Sequence, residues 1–244
     1  MPTLRALSEQ ELVRIWEVGL GQHPLDRALT ILLAAFPGTT RDILALLSIG
    51  QRDSCLLAVR RQTFGASLAG LAACPACPEQ IEFALDTNAM QIPANISPAT
   101  SVQAVPFEGG EIQFRLPNSL DLAAIVGYRD TAAARNLLIR RCVMQVVQDG
   151  EALPVENLPE ALITHLATQM EERDPLAEIR IDLNCPACGH HWQMLFDIVS
   201  FFWAEITARV KRVLRDIHTL ARAYGWREAD ILSMGPVRRQ LYLE

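Results

Sequence analysis

The sequence predicts an α+β protein with helical N- and C-terminal regions around a split four-cysteine unit that carries a hairpin-containing α/β insertion. Three observations predict it. Helical periodicity with capping signals occupies both ends of the chain. Two Cys-Pro-Ala-Cys motifs, Cys74–Cys77 and Cys185–Cys188, sit beside segments whose apolar residues alternate with polar ones. Between them, Glu108-Gly109-Gly110 separates two further alternating runs, a hairpin signal.

Ser8 with Glu11 three residues on forms a capping-box pattern, and Leu12, Ile15 and Trp16 then make one apolar face. Pro24 marks a turn, and Leu25 to Phe36 reads as a strongly apolar second helix stopped by Pro37-Gly38. Thr40 is expected to cap a third helix through Ile49, and Gln51 to Gln62 supplies a fourth. Ile81, Phe83 and Leu85 alternate as a strand, and Val102 to Phe107 with Glu111 to Leu116 forms the hairpin. Helix is expected from Ser119 or Asp121 to about Val147. A turn follows at Asp149-Gly150, and then a helix runs from Pro159 to near Arg173. Ile179, Ile181 and Leu183 alternate into the second motif. Val199, Trp203, Ile206, Val210, Val213, Ile217, Leu220 and Tyr224 are spaced four and three apart, a sustained heptad stripe, with Gly225 suited to its end. Trp226 to Ser233 and Pro236 to Glu244 read as two short amphipathic helices.

At 244 residues, half of them apolar, the chain is long enough to bury a substantial core. A net charge of -6 argues against a nucleic-acid partner, apart from a local patch. That patch is Arg209, Lys211, Arg212, Arg215 and Arg222 set against Glu205 and Asp216. No run approaches the roughly 18 apolar residues of a membrane span, and Met1-Pro2-Thr3 leads quickly to Glu9, Glu11 and Arg14 rather than to a leader. A cytosolic protein is expected.

In the cytosol, paired C-x-x-C spacing favours metal over disulfides. Cys74, Cys77, Cys185 and Cys188 are therefore the candidate ligands of one structural Zn2+ per chain, which wants four soft donors. Proline after the first cysteine of each pair fixes φ and favours a tight knuckle. The halves repeat: a shift of 111 positions lays Ile81, Phe83, Leu85 and Asp86 on Trp192, Met194, Phe196 and Asp197. Each half is a knuckle feeding a strand that ends in an aspartate, the pattern of a zinc ribbon, split here by 107 residues between Cys77 and Cys185.

The competing readings are weaker. A redox C-x-x-C sits at a helix N-terminus, and neither motif starts a helix. His190 and His191 could replace a cysteine, but four sulfurs already suffice and a surface turn suits them better. Cys55 and Cys142 read as small core residues. His23, His165 and His218 are isolated, no phosphate-binding or nucleophile-elbow motif occurs, and a four-cysteine site lacks the open position of a catalytic zinc. No catalytic residue is assigned, and a non-enzymatic protein is expected.

Several segments carry a family resemblance: the first knuckle with Ile81 to Asp86, Glu111 to Leu122 (EIQFRLPNSLDL), and Asn184 to Ile198 (NCPACGHHWQMLFDI). Together they resemble the T4-type phage baseplate hub assembly chaperone family of contractile tails and related contractile injection systems. The ending, Ala223 to Glu244, is similar to tails of that family. The resemblance covers most of the chain from about Phe64 onward. It implies a non-enzymatic assembly factor or structural component of the baseplate hub or spike, partnered by hub, spike or tape-measure proteins and incorporated in, or acting on, a phage tail-like particle. A nucleic-acid-associated or regulatory zinc ribbon is the alternative.

Five regions are expected: helices over 1–63, first knuckle and strand over 64–90, the mixed insertion over 91–177, second knuckle and strand over 178–198, and the C-terminal helices over 199–244. The heptad helix packs on the protein's own core or docks a partner helix. In the second case Val210, Val213, Ile217, Leu220, Tyr224, Trp226, Leu241 and Tyr242 form the partner surface.

Overall fold

The computed structural model describes residues 4–88 and 102–244. It is an α+β fold, with antiparallel sheets interleaved between helical ends. The N-terminal helices are α1 (Glu9–Gly19), α2 (Pro24–Ala35), α3 (Arg41–Ala45) and α4 (Ile49–Phe64). Ser8 and Glu11 make the expected capping box on α1. His23 caps α2 by accepting the Leu25 N–H at 3.3 Å. The helix expected from Thr40 to Ile49 is two elements. Thr40 caps the five-residue α3, and Ser48 and Gln51 make a second capping box that starts α4. Ser48 takes an extended conformation to cap, so the helix cannot run through it.

Next comes the ribbon β1 (Ser67–Ala73) with β2 (Gln80–Asp86), antiparallel from Ser67–Asp86 to Ala73–Gln80. The insertion contributes β3 (Gln103–Phe107), β4 (Gly110–Phe114), α5 (Ser119–Ile125), α6 (Thr131–Cys142), β5 (Val143–Gln148), β6 (Glu151–Ala152) and α7 (Glu160–Arg173). Its sheet order is β3-β4-β5-β6. The expected helix from Ser119 to Val147 is thus corrected: it divides at Val126 to Asp130, and after Cys142 the chain extends to pair with β4. Val143 and Val146 are buried there among β-branched and aromatic neighbours, so sheet packing outweighs helical continuity. The boundary between residues 90 and 91 lies outside the described residues.

A second ribbon, β7 (Arg180–Asn184) with β8 (His191–Leu195), leads to α8 (Ile198–Tyr224), α9 (Glu228–Ser233) and α10 (Pro236–Leu243). Asp197 caps α8 by accepting the N–H groups of Val199 and Ser200 at 2.9 and 3.2 Å. Gly225 ends it in the left-handed region, φ 70°.

The described residues form two hydrophobic cores. One gathers α1 to α4, the inner faces of both ribbons, α8 and α9; the other lies inside the insertion, between its sheet and α6 and α7. The heptad stripe of α8 belongs to the first. Ile206, Val210, Val213, Ile217 and Leu220 are buried against the protein's own helices, with Phe64 edge-on to Phe202 at 5.8 Å. Each such side chain contributes about 1.5–3 kcal/mol, so the stripe is a main source of cohesion. This corrects the docking expectation for Val210, Val213, Ile217 and Leu220: their surface is already spent on the core. Tyr224, Leu241 and Tyr242 remain exposed and Trp226 half-buried; the rings of Tyr224, Trp226 and Tyr242 form one aromatic cluster, with centroids 4.5–5.8 Å apart.

No described helix is long and apolar enough to cross a membrane.

Candidate metal centre

The ribbons bring their turns together. Cys74, Cys77, Cys185 and Cys188 place all four sulfurs within 4.8 Å of one another, the one such cluster of candidate ligands among the described residues. Cys74 Sγ lies 3.7 Å from Cys188 Sγ, and Cys77 Sγ 3.6 Å from Cys185 Sγ. A tetrahedron of sulfurs about 2.3 Å from a central metal has edges of about 3.8 Å. The close approaches run between the two knuckles, so the geometry is that of one shared site.

Each knuckle is built in the same way. Cys74 N–H donates to the Glu79 carbonyl at 2.9 Å, and Cys185 N–H donates to the His190 carbonyl at 2.9 Å; these pairs coincide under the 111-residue shift. The turns point N–H groups at the sulfurs: Ala76 at Cys74 (3.4 Å), Glu79 at Cys77, Cys188 and Ala187 at Cys185, and His190 at Cys188. The Cys188 N–H, ahead of that of Ala187, pulls Cys185 down to about 7. At Cys77 the Glu79 N–H acts in the same direction, but desolvation and the neighbouring thiols outweigh it and hold the group at about 12. Four sulfurs this close cannot all ionise unless a cation sits among them. The donor set therefore fits a metal ion.

Burial grades across the site. Cys185 and Cys74 are buried, Cys77 is half-buried and Cys188 exposed, so the centre sits at the rim of the first core. His190 and His191 are exposed, and His190 stacks on Trp192 at 5.9 Å, which leaves the sulfurs as the ligand set. Cys55 and Cys142 lie elsewhere as buried thiols, each pushed up to about 12, first by burial and then by Asp53 and Asp121 respectively. They are not reactive positions.

Sequence reasoning missed β1, the strand entering the first knuckle. Its equivalent β7 was expected from Ile179, Ile181 and Leu183, and the repeat itself carried the signal: the 111-residue shift lays Ala69–Ala73 on Arg180–Asn184.

Fold and site together define an α+β protein whose distant segments bring four cysteines into one cluster that could hold a metal ion. Residues 25–203 match the family described as T4 bacteriophage base plate protein, and the chain belongs to that family. Its role is structural or in assembly of a phage-type baseplate. Comparison with curated proteins and with solved structures finds no match.

Proposed function

We propose that the protein is a non-enzymatic assembly factor or structural component of the hub or spike region of a contractile, phage tail-like baseplate, held in shape by one structural zinc ion. The observation that carries this reading is coincidence: the family match over residues 25–203 contains both knuckles and everything between them. Whatever the baseplate role requires, it is built on the clipped unit. Zinc suits the centre because four thiolates form a closed tetrahedral set with no position for substrate, and zinc adds no redox chemistry. Hub, spike and tape-measure proteins are the partners.

The test is mass spectrometry of proteins co-purifying with a tagged copy, expressed with its native gene cluster. Recovery of hub, spike or tape-measure proteins supports the reading, and their presence with this chain in finished particles makes it a component rather than a transient chaperone. Recovery of no tail-type protein contradicts it.

One observation favours a second reading, a nucleic-acid-associated ribbon. Lys211, Arg212, Arg215 and Arg222 are exposed on α8 and outside any ion pair among the described residues, while Glu205 and Asp216 are engaged by Arg60 and Arg239. Salt-dependent DNA binding by the purified protein supports that alternative, and its absence at low salt removes it.

A further inference from the structure

The two ribbons share a fold but differ at their edges. In β1–β2, Cys74 N–H bonds the Glu79 carbonyl at one end and Thr87 N–H bonds the Ala66 carbonyl at the other. With the continuous register between, residues 66, 68, 70, 72 and 74 bond inward to β2. Ser67, Ala69, Leu71 and Ala73 therefore turn their N–H and C=O groups to the outer edge. All four are exposed, Leu71 at 66%. No other described element runs alongside β1.

The same alternation holds in β7–β8, where Cys185 N–H bonds His190 and Phe196 N–H bonds Ile179. There the outward residues of β7 are Arg180, Asp182 and Asn184, the repeat equivalents of Ala69, Leu71 and Ala73. On the inner partners' own outer edges, β2 presents Gln80, Glu82, Ala84 and Asp86, and β8 presents His191, Gln193 and the exposed Leu195. Charged or polar outward residues are how proteins prevent edge strands from pairing with other chains. Two of the four ribbon edges, β2 and β7, carry charged guards, β8 carries the bulky polar His191 and Gln193, and β1 has only the small Ser67. The β1 edge has no charge, no proline and no bulge along its whole length.

We propose that β1 is a self-pairing edge, on which a second copy of this chain adds its own β1 antiparallel about a twofold axis at Gly70. That register sets Ala69 of one copy opposite Leu71 of the other, and Ser67 opposite Ala73. Every pair then joins two outward-facing residues, so all eight outward N–H and C=O groups of each strand bond across the axis. The one large side chain meets a small one on both sides of the axis, as an isologous interface requires. The row also tolerates its own copy, because none of its outward residues is charged and self-pairing sets no like charges opposite one another. The proposal is independent of the hub reading.

The experiment is sedimentation equilibrium on the full-length, metal-loaded protein across the micromolar range, with amide exchange read at β1. The wild type is expected to dimerise with concentration, and protection of Ala69, Leu71 and Ala73 to rise in step. Leu71→Lys, at an exposed site across from Glu82, restores a guard without touching the core. It is expected to raise the dimer dissociation constant about tenfold or more, with melting temperature and metal content unchanged. A wild type that stays monomeric overturns the proposal, as does a Leu71→Lys dimer of equal affinity. So does protection of these amides in the monomer. Loss of a different tail protein from the Leu71→Lys variant, with a monomeric wild type, overturns it in favour of a heterologous strand.

Discussion

Gly50 donates its backbone N–H to the Asp174 carboxylate at 2.9 Å, joining the first turn of α4 to the end of α7 across 124 residues of sequence. Alongside it, Ile49 N–H donates to the Pro117 carbonyl at 3.0 Å and Ser48 bridges to Asn118. These contacts seat the insertion on the helical body. A Cβ at Gly50 would fall 2.1 Å from Asp174 Oδ1 and 3.0 Å from Ala177 N, and the second atom is backbone that cannot swing aside. Gly50→Ala is expected to cost about 2 kcal/mol or more in urea denaturation. An unchanged midpoint would show that the junction is soft.

Burial, first, drives the Asp174 carboxyl above its ordinary 3.8, against the Gly50 N–H, Ser48 and Arg52, which favour the charged form. The folded protein therefore binds this proton more readily than the unfolded chain. Stability gained at this position rises as pH falls through the raised folded value and is complete below 3.8. Asp174→Asn is neutral throughout, so the wild type should gain on it as pH falls across that window. A constant difference between the two denaturation midpoints would contradict the assignment.

Glu11 behaves in the opposite sense. The Arg5 guanidinium, opposed by burial and aided by Ser8, lowers it from 4.5 to about 2. Its contribution is present above 4.5 and is lost as pH falls toward about 2. The advantage of wild type over Glu11→Gln should shrink over that interval, measured as the difference in thermal midpoints. An advantage that grew with acid would refute the pairing.

Arg60 is almost wholly buried and holds Glu205 of α8 through two hydrogen bonds, 2.9 and 2.6 Å, with a third to the Gly65 carbonyl. Glu205→Ala strands a buried cation and is expected to cost about 3 kcal/mol, more than the double change Arg60→Met with Glu205→Leu. Chemical denaturation of the three proteins decides the order.

The heptad stripe, the Ser8–Glu11 capping box and the two knuckles were legible because each is a local pattern with a fixed period or spacing. The strand β1 was not, since Ser67-Leu-Ala-Gly-Leu-Ala-Ala73 is built of small residues with weak strand preference, and only pairing with β2 extends it. Ser48-x-x-Gln51 did carry the start of α4, but the apolar run from Ile43 to Ile49 masked it. Val143 to Gln148 has no breaker before it, and its fate is decided by β4, far back in the chain. The Gly50–Asp174 contact has no sequence signature, because neither residue's local context refers to the other. For the metal site, the ligands and the pairing of the halves were readable, whereas the N–H groups aimed at each sulfur emerge only once both turns are folded.

The central claim is that the two cysteine knuckles, 107 residues apart, close one metal site that the fold depends on. The most direct measurement is metal content with X-ray absorption on the purified protein, repeated on Cys185→Ser. The account predicts one zinc per chain with four sulfur neighbours at about 2.3 Å, and a variant that loses the metal and melts well below the wild type. A variant that kept one zinc and the wild-type melting temperature would contradict it.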